Sequence, residues 1–133
     1  MNRSGQVTQE QAIDLMTRFG GAFVSRDDEA LRSCLHDDFF WHLHEGPDIP
    51  SGKTVSGLQG MLEVLQAREK NWKDVRYADV NVSSDGSQII QTFRVSGVDE
   101  KGRAFDVRAV DLYAVEDGKL ASKDSYWKNV DRS

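Results

Sequence analysis

Apolar residues recur at helical spacing through the first half of the chain and at every second position through the last half. Thr8 and Gln11 fit a capping box, in which each residue satisfies a backbone amide that the first helical turn leaves unpaired. Ile13, Met16, Phe19 and Phe23 then follow at helical spacing, predicting a helix to about residue 25. Asp27 or Asp28 can cap a second, shorter helix that carries Leu31, Cys34 and Leu35. Phe39 to His44 is short and aromatic, which suits a strand, and the Pro, Asp, Ser and Gly content of Gly46 to Gly52 predicts a loop. Ser56 and Gln59 repeat the capping-box pattern ahead of a stripe of Leu58, Met61, Leu62, Leu65 and Trp72, which predicts a third helix. From residue 73 the period becomes two. Four strand-like runs are separated by Asp85-Gly86, Glu100-Lys101-Gly102 and Asp117-Gly118-Lys119, turn chemistry that joins antiparallel neighbours. Helices followed by a meander predict an α+β domain with the helices against one face of a curved sheet.

Composition narrows the class. With 133 residues the chain is long enough for one core and too short for two ordinary domains, so residues 1–133 read as a single domain with 1–7 as a loose tail. The net charge is −5 and the basic residues form no cluster, which argues against nucleic acid and anionic membrane surfaces as partners. No apolar run approaches the ~20 residues of a membrane span. The stretch Met-Asn-Arg-Ser-Gly-Gln has no hydrophobic segment behind it to make a secretory signal, so the expected compartment is the cytoplasm. Cys34, the single cysteine, has no partner for a disulfide and reads as a small core residue.

Candidate chemistry concentrates in Phe105 to Tyr113. Alternation places Phe105, Val107, Ala109, Asp111 and Tyr113 on one face, so Asp111 shares an apolar surface. A carboxyl there either finds a buried donor or is kept neutral by its surroundings and serves as an acid or base. A turn-capping role is the plainer alternative. Val110 and Leu112 make the opposite face apolar as well, and a second copy of the chain is the expected cover, giving a homodimer. His42 and His44 could both reach one metal ion, but no third ligand is marked by position, so no metal is expected; interface or surface roles are the alternative. Gly20-Gly21 matches no phosphate loop and reads as close packing of helix on sheet.

The segments "HDDFFWHLHEG" and "VEDGKLASKDSYWK", with the helices before and the meander between them, resemble the nuclear transport factor 2-like superfamily and its SnoaL-like branch, from about residue 10 to residue 129. The resemblance implies a cone: a curved antiparallel sheet wrapping N-terminal helices around an apolar pocket, usually in a homodimer. Fold alone does not assign activity in this superfamily. "MTRF", "TFRV" and "SYWKNV" are also distantly similar to ketosteroid isomerase, which uses a tyrosine, a protonated aspartic acid and a carboxylate base. On that register the aspartic acid falls on Asp111, the tyrosine on Phe19 and the base on Leu43. A one-residue bulge would bring His42 or His44 to the base position instead. The acid on the closing strand of the epoxide hydrolases would fall on Ser125.

The same register implies a pocket lined by Phe19, Trp41, Leu43, Phe93, Val95, Val107, Ala109, Ser125 and Trp127. Such a lining suits a flat apolar ligand with one polar atom, or it simply fills a closed cone. Two expectations follow from the resemblance. One is a cofactor-free acid/base enzyme of isomerase, cyclase, dehydratase or hydrolase class, acting on a cyclic hydrophobic substrate with Asp111 as acid or base and His42 or His44 as alternates. The other is a non-catalytic dimeric ligand-binding or structural module.

Overall fold

The computed structural model describes residues 6–130. Three helices pack on a curved six-stranded sheet that does not close into a barrel. The first helix, α1 (Gln9–Ser25), starts at the expected capping box: the Thr8 hydroxyl accepts from the Gln11 amide, and the Gln11 side chain accepts from the Thr8 amide. Its buried face is Ala12, Leu15, Met16, Phe19, Ala22 and Phe23. Ile13, expected in that stripe, is 48% exposed, because the helix docks on the line through Ala12 and Leu15. Asp27 caps α2 (Asp28–Cys34) by accepting from the Ala30 amide. Leu35 leaves the helix and opens β1 (Leu35–His42), which therefore begins four residues before the aromatic run that predicted it.

A short β2 (Thr54–Ser56) leads into α3 (Gly57–Asn71). Ser56 is the N-cap residue of α3, yet its side chain makes no capping bond. Gly57 directly after it has φ +68°, and this left-handed turn replaces the entry that a capping box requires. The meander is β3 (Lys73–Ser84), β4 (Gln88–Val98), β5 (Ala104–Glu116) and β6 (Lys119–Trp127), broken at the three expected turns. At the first, Asp85 Oδ1 accepts from the Ser87 and Gln88 amides, which holds its carboxyl below the usual range.

Strand order is β2-β1-β6-β5-β4-β3. Every pairing is antiparallel except β1 with β6, which is parallel. The sheet thus joins the first strand of the chain to the last, and the concave face collects side chains from both. Of the tail expected over 1–7, residues 1–5 lie outside the described residues. Val7 is not loose: it is buried, its amide donates to Gly86 O and its carbonyl accepts from Ser84.

Two apolar clusters fill the concave side. The larger joins α1, α2 and α3 to β1, Ile89, Tyr113, Val115 and Leu120. The smaller contains Phe93, Val95, Phe105, Val107 and Ala109, closed by Trp72, Val75 and Trp127. Gly97 lies against this smaller cluster, where a Cβ would come within 3.0 Å of the Phe105 ring and 3.0 Å of Lys73 O. Among the described residues no helix is long and apolar enough to cross a membrane.

Candidate active site

Two rows of cross-strand neighbours build the site. Residues opposite one another on adjacent strands hold their Cβ atoms about 5 Å apart, so register alone brings their side chains together. One row runs Ser125–Asp111–Gln91 across β6, β5 and β4. The next runs Trp41–Lys123–Tyr113 across β1, β6 and β5. Both rows face α1.

Asp111 is 3% exposed and fully engaged. Ser125 donates to its Oδ1 at 2.7 Å and in turn accepts from Trp41 Nε1 at 2.9 Å. The Tyr113 hydroxyl donates to Oδ2 at 3.3 Å, and Lys123 Nζ stands 3.9 Å from the same oxygen. Asp111 thus has buried donors on both of its oxygens, as the first of the two alternatives for a carboxyl on an apolar face requires. The Tyr113 phenol is pushed well above its ordinary value by burial and by Asp111.

Lys123 is the more unusual group. It is 5% exposed, and its ammonium lies 4.2 Å from the Trp41 ring and 4.3 Å from the Phe23 ring, with Phe19 and Tyr113 beyond. Aromatic faces attract a cation but solvate it less than water does. Burial lowers the lysine to about 8; Asp111 opposes that shift and Arg68 adds to it. Arg68, on α3, is half-buried with its guanidinium 4.9 to 5.3 Å from the rings of Trp41, Trp72 and Trp127. Burial lowers its pKa as well, against the pull of Tyr77, to which it hydrogen-bonds, and of Asp111 and Glu45.

These groups line a cavity of about 300 Å³ walled by Phe19, Phe23, Trp41, Phe93 and Trp127. The exposed residues Val24, Tyr77 and Val80 lie at its edge, between α1 and β3. A second cleft, lined by His44, Lys53, Glu63 and Glu100 among others, lies on the far side of Arg68, which borders both. The charged side chains on the cavity wall are Asp111, Lys123 and Arg68.

Of the residues singled out from the sequence, Phe19, Trp41, Phe93, Asp111, Ser125 and Trp127 meet around this cavity. Four others do not. Val95, Val107 and Ala109 are consumed by the smaller cluster, which plugs that end of the cone with Trp72 and Phe105. Leu43 lies past the end of β1, where its amide bonds to Lys53 O, and it borders the second cleft. The phase of β1 turns Trp41 inward and His42 outward, where His42 Nδ1 meets the Thr54 hydroxyl at 2.7 Å. The bulge lies between Leu35 and Phe40, too early to bring either histidine to Asp111. His44 stacks on Trp127 at 3.8 Å and sits 3.8 Å from Glu45. Among the described residues no three His, Cys, Asp or Glu side chains gather where a metal ion could sit.

Gly20 is not a packing glycine. A Cβ there, or at Gly21, would meet nothing within 4 Å, and Gly20 borders the cavity. Lys123, Arg68 and Tyr113 complete the site without having been singled out. Their signals were present: Lys123 alternates with Ser125 and Trp127, Tyr113 with Asp111, and Arg68 falls on the Met61–Leu65 stripe.

The SnoaL-like domain family matches residues 16–123, a span that begins within α1 and includes Asp111 and Lys123. The chain belongs to the SnoaL-like family. No curated protein matches it. Solved structures share the fold of this SnoaL-like chain at low identity. A candidate SnoaL-like polyketide cyclase from Jannaschia sp. CCS1 is 18% identical, with 96% of this chain and 91% of that one covered and a TM-score of 0.74. A nuclear transport factor 2-like protein from Burkholderia xenovorans LB400 is 17% identical over 91% of this chain and 92% of its own, with a TM-score of 0.74. A Catenulispora acidiphila protein with a ketosteroid isomerase-like fold, solved with trimethylamine, is 16% identical over 86% and 85%, with a TM-score of 0.67.

Proposed function

We propose that this SnoaL-like protein is a cofactor-free acid/base enzyme acting beside a carbonyl on a small cyclic, largely apolar substrate. The observation that carries the reading is the Asp111–Lys123 pair at 3.9 Å, buried on the wall of an aromatic cavity that opens to solvent. A buried ion pair is a poor source of stability, because desolvating both ions offsets their attraction. Chemistry explains it better. Asp111 Oδ2 takes a proton from the carbon beside the carbonyl, while Ser125 keeps Oδ1 oriented. The Lys123 ammonium donates toward the carbonyl oxygen as negative charge develops there, where low polarity strengthens the interaction. Return of the proton to another carbon gives isomerisation; attack of the enolate on a second carbonyl gives cyclisation. The polyketide cyclase named among the similar structures supports this reaction class, since such ring closures begin with the same proton removal.

The test is deuterium exchange of 2-tetralone in D2O followed by proton NMR. The protein is expected to accelerate exchange beside the carbonyl, and Asp111→Asn, which keeps the shape and the Ser125 bond, to reduce that acceleration by about a hundredfold or more. Binding of 2-tetralone with exchange no faster than in buffer would sink the enzyme reading and leave a ligand-binding module.

A further inference from the structure

The charges around the cavity do not balance. Its lining carries two cations, Arg68 and Lys123, against a single carboxylate, Asp111, in a chain whose overall charge is −5. Asp111 is already committed to Ser125, Tyr113 and Lys123. Among the described residues no carboxylate forms an ion pair with Arg68. The groups that act on it are Tyr77 from β3, Asp111 from β5, Lys123 from β6 and Glu45 from the loop after β1. Glu45 stands 3.8 Å from His44, on the side of the second cleft.

A guanidinium held against three indole rings has lost much of its water and gained one neutral phenol, Tyr77, and ring faces in exchange, with no anion among them. Its planar N–H edge matches a carboxylate in a way that an ammonium does not. Arg68 and Lys123 also flank the same indole, Trp41, and oppose each other. An anion arriving at Arg68 relieves both deficits.

We infer that the ligand of this cavity carries a carboxylate, seated on Arg68, in addition to the carbonyl that faces Asp111 and Lys123. The inference rests on the proposed ligand pocket and names its substrate class: a cyclic keto acid, in which Arg68 fixes the acid end and thereby aims the carbonyl. Arg68 is a binding residue in this account and takes no part in proton transfer.

The probes are 2-naphthoate and its neutral isostere 2-naphthamide, titrated at pH 6.5 with tryptophan fluorescence as the readout, since Trp41 and Trp127 wall the cavity. The carboxylate is expected to bind at least about tenfold more tightly than the amide, the scale of one charge-assisted contact. Arg68→Gln should remove that preference, so that the two probes bind with similar affinity, and an unfolding transition like that of the wild type reports that the variant folds. Arg68→Lys should retain only part of it. Equal or tighter binding of the amide by the wild-type protein would overturn the inference while leaving the pocket intact. A preference that survives Arg68→Gln and vanishes in Lys123→Met would overturn the assignment to Arg68. Failure of both probes to bind would overturn the inference and the ligand pocket together.

Discussion

Lys123 shows how one residue can tie stability to pH. Its folded pKa of about 8 lies below the ordinary lysine value of 10.5, so above pH 8 the unfolded chain binds more protons than the folded one. Stability contributed by this group therefore rises from about pH 8 and levels off above 10.5. Between pH 7 and 9.5 the gain is about 2 kcal/mol, and urea unfolding across that range should show it. Lys123→Met removes the titration, and its profile should lack this rise. The upper limit stays below pH 10 because Tyr113, shifted upward, acts with the opposite sign once unfolded tyrosine ionises. A wild-type profile that coincides in slope with Lys123→Met would show that the lysine is not desolvated. Asp111 was readable from alternation because an acid among apolar neighbours is conspicuous. For Lys123 alternation gave the facing direction but not the burial, because a lysine on a closing strand normally reaches solvent, and rings from α1 and β1, Phe23 and Trp41 nearest, enclose it.

Two sequence signals of the same form diverge at the level of elements. Thr8-Gln11 and Ser56-Gln59 are both capping boxes on paper, yet only the first makes its bonds. Thr8→Ala should cost about 1 kcal/mol in thermal or urea unfolding, whereas Ser56→Ala should stay within a few tenths. Equal losses would mean that α3 is capped after all. The reason is Gly57, whose positive φ sets the entry to α3 by backbone shape. Periodicity placed all three helices and the four-strand meander, and the Gly-containing turns placed their breaks. It misplaced the start of β1, since Leu35 to Asp38 is too polar to look like a strand and only its first residue, Leu35, is in register with β6 before the bulge. The pocket lining differs for another reason: Val95, Val107 and Ala109 do lie on the inward face, but inward is not the same as lining. Bulky Phe105 and Trp72 fill that end of the cone, and facing direction alone does not reveal which layer is filled.

At the scale of the whole molecule, the outer sheet face carries a partly apolar patch. Val110 and Leu112 lie on the convex face, half-buried, and Tyr126, the cross-strand partner of Val110, is 55% exposed. We expect two copies to meet through this face about a two-fold axis, as such self-complementary patches commonly do. Light scattering at micromolar concentration should report twice the 15.0 kDa chain mass. A species of the chain mass would refute the dimer, as would a dimer that persists unchanged when both Val110 and Tyr126 are replaced by lysine.

The parallel seam between β1 and β6 carries a consequence for how the molecule comes to exist. Trp41 pairs with Lys123 and Leu35 with Leu120, so the site depends on contacts between residues more than eighty positions apart. Such distant closures are slow, because chain entropy is lost before the contact repays it. During synthesis the helices and β1 emerge with one flank of the strand unpaired and the cavity lacking its Asp111, Lys123 and Trp127 wall. The SnoaL-like fold therefore cannot be completed until its last strand has been made, and a nascent chain that stops within β5 holds aromatic side chains with nothing to enclose.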